Sequence, residues 1–369
     1  MTAANHSSLL FTFIGFLPLL ALVSGVSGNS GGPAPYNVTP EQIATYKLDG
    51  VIVIRGLLEG RELKGAIKAA NRIQRRKGLG QRISYKKNPI YRNLEFQTWR
   101  KDRALEKVAF DSAAPTICAK LMGLDGIDST ASTNIDDKNN LGGSRSEDTG
   151  VFRPLRLLKD AVLGYSAGDK GCGWHVDDKI FWPCEDRNIG KRDAGANVWI
   201  TLSTVTTAEG GGLAVAPGSH RLNFAKKARK AISSSVSKTC ILEKLAPDCH
   251  EQMEKIKAVY DLQPGDAIIH DRYIFHRSEA FLDPIRGKKA GTKQRISLRY
   301  VPADATFFNN QLTEARLVEE KGMATGDYVS KGAEYFPQTW PDRLPEERDM
   351  KVHSEENLFK VLSQKLTKK

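Results

Sequence analysis

The sequence predicts a mainly β protein with flanking helices, its strands antiparallel in a sandwich or barrel. Two observations carry that prediction. From residue 151 onward the chain breaks into short runs rich in β-branched and aromatic residues, separated by Gly, Pro and Asp turns. These runs do not alternate with helices in the way a parallel βαβ sheet requires.

The elements follow in order. Residues 9–23, LLFTFIGFLPLLALV, are almost wholly apolar, no Lys or Arg precedes Lys47, and small residues fill Ser24 to Gly28. This pattern predicts a secretory signal peptide over 1–28, hence the secretory pathway, with a type II membrane anchor or a plastid leader as the alternatives. Pro18 interrupts the run, which is short for a membrane span. Linker sequence, NSGGPAP onward, occupies 29–38. TPEQIATYKLDGVIVIRGLLEGRELKGAIKAANRIQRR (39–76) reads helix, strand, helix. Thr39-Pro40-Glu41 is a helix start, Asp49-Gly50 a turn, VIVI a buried strand, and Leu63, Ile67, Ala70 and Ile73 recur at helical spacing. Residues 103–123 read as helical and 129–150 as a flexible polar insert.

The strands expected beyond are 158–166, 197–205, 212–219, 258–262, 266–270 and 295–302. A basic, helix-leaning insert at 221–257 is expected to form a lid. The main domain is placed at 39–310, and a C-terminal extension at 311–369.

Composition narrows the function. The chain has 369 residues, enough for one large domain or two ordinary ones, and a net charge of +12. Its Lys and Arg are spread along the sequence, and the densest cluster, FAKKARKAI, has no interleaved aromatic residues. That reads as a solvated basic face, not as a nucleic-acid surface. Five cysteines with no CxxC leave two pairings to consider, Cys172 with Cys184 and Cys240 with Cys249, against free thiols. Asn37-Val38-Thr39 is a glycosylation pattern weakened by Pro40.

The chemistry lies in GCGWHVDDKIFW (171–182). Side chains at i and i+2 of a strand share a face, so His175 and Asp177 can meet one ion. Two histidines and a carboxylate form a face that binds Fe(II) and leaves coordination positions open. His276, at the end of LQPGDAIIHDRYIFHRS, is the expected third ligand; His270 is its competitor and reads as a core histidine. His220 in PGSH reads as a turn brace. QRISLRY places Arg295, Ser297 and Arg299 on one strand face, where a guanidinium and a hydroxyl suit a carboxylate.

With those motifs in place, residues 40–303 resemble the phytanoyl-CoA dioxygenase-like branch of the Fe(II)/2-oxoglutarate-dependent oxygenases. Five segments in order carry the resemblance: TPEQIATYKLDGVIVIRGLL, GWHVD, NVWITLSTVTTAEGGGLAVAPGSH, PGDAIIHDRYIFHRS and QRISLRY. The resemblance implies a double-stranded β-helix core of the jelly-roll or cupin kind. It implies Fe(II) held by His175, Asp177 and His276, and O2 as oxidant. It implies 2-oxoglutarate gripped by Arg295, with Trp199 and Ser278 lining the same pocket. The reaction implied is hydroxylation of a small organic substrate, with release of succinate and CO2; desaturation and ring closure are variants. A carboxylate at position 177, where Gly or Ala would admit a halide, favours hydroxylation over halogenation.

The chain departs from the family pattern in two gaps. Extra residues, 183–195, separate Asp177 from Trp199, and the stretch from His276 to Arg295 is long. That leaves Arg299 and Lys293 open as alternatives to Arg295. No SKL-type terminus is present, so a phytanoyl substrate is not implied. Basic residues in 78–100, with Lys226, Lys227 and Arg229, suggest an anionic substrate. The competing readings are a metal-binding β-helix protein without oxygenase activity and a non-redox metal enzyme. Membrane association is expected only with an uncleaved leader, and oligomeric state is not legible.

Overall fold

Thr39 opens the first helix by a reciprocal cap. Its hydroxyl accepts from the Gln42 amide and the Gln42 side chain accepts from the Thr39 amide, with Pro40 in the first turn. Helix α1 (Pro40–Asp49) ends at Gly50, whose φ of 71° is the left-handed value a glycine cap adopts without strain. That turn delivers β1 (Val51–Ile54), and α2 (Gly60–Arg75) follows, burying Ala66, Ala69, Ala70 and Ile73.

This computed structural model describes residues 36–75, 94–125, 152–169, 171–177, 184–185, 195–221, 228, 241–282, 291–307 and 322–348. All belong to one unit of the chain, Pro35–Lys369. The leader 1–28, most of the linker, the insert 129–150, the basic stretch at 78–93 and Lys226, Lys227 and Arg229 lie outside the described residues.

Strand β2 (Glu95–Phe96) precedes helices α3 (Arg103–Phe110) and α4 (Ala114–Leu121). The single helix expected at 103–123 is therefore two. Ser112 makes the break, its hydroxyl donating to the Val108 carbonyl and accepting from the Ala114 amide. Then come β3 (Leu155–Tyr165), β4 (Cys184–Glu185), β5 (Ala196–Thr201) and β6 (Leu213–Val215). Short helix α5 (Leu242–Leu245) and α6 (Pro247–Ile256) fall in the expected lid segment. Strands β7 (Ala267–Asp271), β8 (His276–Ser278), β9 (Lys293–Pro302), β10 (Thr306–Phe307) and β11 (Gln338–Trp340), then α7 (Pro345–Arg348), complete the set.

The main sheet runs β1-β7-β5-β9-β3-β11, with β2 also paired to β3. Its pairs are antiparallel. One face packs on the helices: Ile296, Leu298 and Tyr300 of β9 and Val198 and Ile200 of β5 join Ala66, Val108 and Ile117 in the largest core cluster. The other face carries Asn197, Trp199 and Thr201 opposite Arg299, Ser297 and Arg295. A second layer is short: β6 pairs with β8, and His175 bridges His276. Two antiparallel layers with flanking helices are the expected jelly-roll arrangement, mainly β.

Two segments differ from the expectation. The run 258–262 is not a strand; its backbone pairs with the layers at the isolated bridges Ala258–Val215 and Leu262–Val205, and Leu262 packs into the core between them. Residues 322–348, expected as an extension, are built into the main body. Strand β11 pairs with β3, and buried Arg156 and Glu347 form an ion pair at 3.1 Å. Among the described residues no helix is long and apolar enough to cross a membrane.

Candidate metal centre and cosubstrate pocket

His175, Asp177 and His276 converge although a hundred residues separate the first from the last. The cause is the bridge in the second layer. The His175 amide donates to the His276 carbonyl at 3.0 Å, and the His276 amide returns the bond at 2.9 Å. Directly paired residues present their side chains to one face, and Asp177 lies one pleat along. All three side chains are buried, with one ligand atom from each lying within 4.8 Å of the others.

Hydrogen bonds decide which atoms are available. The His175 Nδ1 lies 2.7 Å from the Gly173 carbonyl, and the His276 Nδ1 lies 3.2 Å from the Ile274 carbonyl. Each ring therefore carries its proton on Nδ1 and leaves Nε2 as the donor atom. Those Nε2 atoms stand 3.6 and 3.8 Å from Asp177 Oδ1. The other carboxylate oxygen, Oδ2, accepts two bonds from Arg299, at 2.7 and 3.0 Å, and one from Asn197 Nδ2 at 3.2 Å.

Protonation follows from the same geometry. Burial holds both imidazoles below the ordinary histidine range, and His276 well below it, with His175 and His270 adding to the effect. Both are neutral, as ligation requires. Burial alone would raise the Asp177 carboxyl, but the Arg299 guanidinium outweighs it and holds the group ionised well below the usual carboxylate range.

His270 lies close, its ring centroid 4.7 Å from that of His276. It sits on β7 opposite Asn197, its Nδ1 2.9 Å from the Asp271 carbonyl, and it is not in the converging group. His220 packs beneath Gly50, with Nε2 3.3 Å from the Lys47 carbonyl, which is the expected turn brace.

The basic strand face divides three ways. Arg299 faces Asp177. Lys293 pairs with Glu209 at 2.7 Å and donates to the Thr204 carbonyl at 2.9 Å. Arg295, buried, lies between two aromatic rings, its guanidinium carbon 5.2 Å from the centroids of both Tyr165 and Trp199. Ser297 is paired opposite Trp199. Ser278 stands two residues beyond His276 on β8, hence on the same face. Gly171 closes the gap between them: a Cβ there would sit 2.8 Å from the Ser278 Cβ and 3.0 Å from the Tyr165 hydroxyl.

Tyr165, Asn197 and the second role of Arg299 were not read from the sequence. Alternation along β3 and β5 places them on the inner face, but only the register of β3, β5 and β9 shows what they meet. Cys172, three residues before His175, is disulfide-bonded, whereas Cys118 and Cys249 are free and buried. A Cys240–Cys249 bridge is thereby excluded; the side chain of Cys184 lies outside the described residues.

Two neutral imidazole nitrogens and one carboxylate oxygen on one face of a jelly roll define a two-histidine, one-carboxylate metal site suited to Fe(II). The comparisons agree. A family model described as Phytanoyl-CoA dioxygenase (PhyH) matches residues 46–282, and the chain belongs to that family. It is an Fe(II)/2-oxoglutarate-dependent oxygenase by class, with iron, 2-oxoglutarate and O2 as its cofactor and cosubstrates. The match ends before Arg295.

Solved structures share the fold. The α-ketoglutarate-dependent carbocyclase SnoK from nogalamycin biosynthesis is 18% identical with a TM-score of 0.57, covering 84% of this chain and 100% of that one. The epimerase SnoN in complex with Fe3+, α-ketoglutarate and nogalamycin RO is 16% identical with a TM-score of 0.54, covering 81% and 98%. EctD from S. alaskensis with 2-oxoglutarate and 5-hydroxyectoine is 16% identical with a TM-score of 0.50, covering 76% and 82%. No curated protein sequence matches the chain.

Proposed function

We propose that this chain hydroxylates a small organic molecule, consuming 2-oxoglutarate and O2 and releasing succinate and CO2. The observation that carries the reading is the convergence of His175, Asp177 and His276 with each unused ligand atom already committed to a protein partner. Iron held there would let O2 act as the oxidant; 2-oxoglutarate, oxidised to succinate and CO2, would supply two of the four electrons O2 takes up, and the hydroxylated substrate the other two. The remaining work belongs to the protein. His175, Asp177 and His276 hold the metal on one side and leave the other for small ligands.

Arg295 receives the far carboxylate of 2-oxoglutarate, with Ser297 beside it on the strand face, and Trp199, Ser278 and Tyr165 as the walls. Arg295 lies against the rings of Tyr165 and Trp199 in the same inner layer as the triad. A guanidinium held between rings keeps its fork oriented while losing water, which strengthens a carboxylate contact. The carboxylate at Asp177 fills the position a halide would need, so hydroxylation is the expected outcome, with desaturation and ring closure as variants.

The leader at 1–28 and the disulfide at Cys172 support a place in the secretory pathway, where disulfides persist. The basic residues of 78–100 and Lys226, Lys227 and Arg229 favour an anionic or lipid-like substrate.

The test is succinate formation. Purified protein with Fe(II), ascorbate and 2-oxoglutarate should release succinate in air, and His276→Ala should not. Succinate absent from iron-loaded wild type across a panel of anionic and lipid substrates would replace this reading with a metal-binding protein that is not an oxygenase.

A further inference from the structure

The metal-ligand strands have a back as well as a front. Alternation puts His175 and Asp177 toward the centre and Trp174 and Val176 away from it. Trp174, Val176 and Phe275 form a cluster with Leu242, Ala246 and Met253. Helices α5 and α6 thus cover the rear of the second layer, and this described part of the expected lid does not lie on the ligand face. An apolar cover needs only its apolar residues. Helix α6 brings one group more.

Glu254, on α6, accepts from Trp174 Nε1 at 2.8 Å and from Arg277 Nε at 2.8 Å through Oε1. Its Oε2 accepts from Arg277 Nη2 at 3.1 Å and meets Lys257 Nζ at 3.2 Å. Trp174 is the residue before His175, and Arg277 is the residue after His276. The Arg277 guanidinium also lies 5.3 Å from the Trp174 ring centroid. One carboxylate therefore bonds to both strands that carry the histidine ligands, from behind, adjacent to each ligand.

These strands need such a tie. The reciprocal His175–His276 bonds and the bond from the Ser278 amide to the Cys172 carbonyl pair the two backbones, but β8 has three residues, so the ladder that sets the spacing between the imidazoles is short. Metal sites tolerate only about half an ångström of misplacement. Burial would raise the Glu254 carboxyl, but the bonds from Arg277 and Trp174 outweigh it and hold the group down to about 2. The tie is thus ionised throughout the working pH range.

We propose that Glu254 is a positioning residue of the metal centre, fixing the separation of His175 and His276 by gripping Trp174 and Arg277 from the rear. This rests on the reading of the triad as a metal site.

The experiment is an anaerobic Co(II) titration of the full protein, read by its d–d absorption, with a thermal melt of each metal-free sample. Glu254→Gln should weaken Co(II) binding by about tenfold to a hundredfold, the usual effect of losing an outer partner of a ligand. Trp174→Phe, which loses the indole donor with part of the buried ring but keeps the Arg277 contact to Glu254, should give a smaller loss. Met253→Ala removes buried packing from the same helix and should lower Tm while leaving Co(II) affinity unchanged. Wild-type affinity in Glu254→Gln overturns the proposal, as does equal weakening in Met253→Ala at the same drop in Tm. If Glu254→Gln does not fold, Arg277→Lys and Trp174→Phe decide the question by the same criterion. Wild type that fails to bind Co(II), or binds it equally in His276→Ala, removes instead the metal-site reading.

Discussion

Arg299 grips Asp177 through a single carboxylate oxygen, with Nη2 at 2.7 Å and Nε at 3.0 Å from Oδ2. The other oxygen is thereby turned toward the two imidazoles. The arginine acts on ligand geometry and on ligand charge together, because the same contact that fixes the rotamer is the largest force keeping the buried carboxyl ionised.

Replacing Arg299 by Met should therefore weaken metal binding by about tenfold to a hundredfold, and more at low pH than at high pH. The sign follows from the shift. In the wild type the folded carboxyl is depressed, so Asp177 is ligand-ready well below its unfolded value. Without Arg299 the burial effect dominates and protons compete at higher pH. Co(II) titrations at neutral and mildly acidic pH should show a wild-type-to-variant gap that widens on acidification.

Arg295 should separate from the triad by its readout. Arg295→Lys retains the charge but loses the fork, and one charge-assisted bond contributes about 1.5–3 kcal/mol. Its Kd for 2-oxoglutarate should rise on the order of tenfold or more, with metal affinity unchanged. A variant that loses metal and cosubstrate together would place Arg295 in the fold instead of the pocket.

His270 is near the centre but outside it. Its Nδ1 faces the Asp271 carbonyl, and its strand pairs with Asn197. Gln in its place should leave metal stoichiometry at one per chain, whereas His276→Ala abolishes binding. Loss of the metal in His270→Gln would exchange the roles of the two histidines.

Asp160 gives the fold its own pH dependence. Burial pushes its carboxyl up to about 6, against bonds from Thr98 and the Trp99 amide that pull it down. The native state then binds more protons than the unfolded chain between the unfolded value, about 4, and 6. Stability from this group is present below that window and is lost as pH rises through it, by about 3 kcal/mol. Asp160→Asn should gain on the wild type by about that amount between acidic and neutral pH in urea unfolding.

Much of this was legible in the sequence, and the exceptions have physical causes. The α1 cap is a local arrangement, so Thr39 and Gly50 announce it without reference to anything distant. The alternation in QRISLRY placed Arg295, Ser297 and Arg299 on one face. It could not say which cation meets Asp177, because that depends on register against β5 and on a loop that brings Asp177 across. His276 could be named only from its place at the end of an apolar strand, since a bridge joining residues a hundred apart leaves no spacing to read. Helices α5 and α6 look like a lid in sequence because an insert between strands is mobile as often as packed. Their apolar residues find Trp174 and Phe275 only in three dimensions. Strand β11 was missed for the same reason: its partner, β3, lies far upstream.

The most direct measurement is an anaerobic addition of 2-oxoglutarate to the Fe(II)-loaded protein, followed in the visible range. A metal-to-ligand absorption band that saturates at one equivalent, disappears in His175→Ala and weakens in Arg295→Lys is the predicted result. Folded, iron-loaded wild type that gives no band with 2-oxoglutarate would contradict the account.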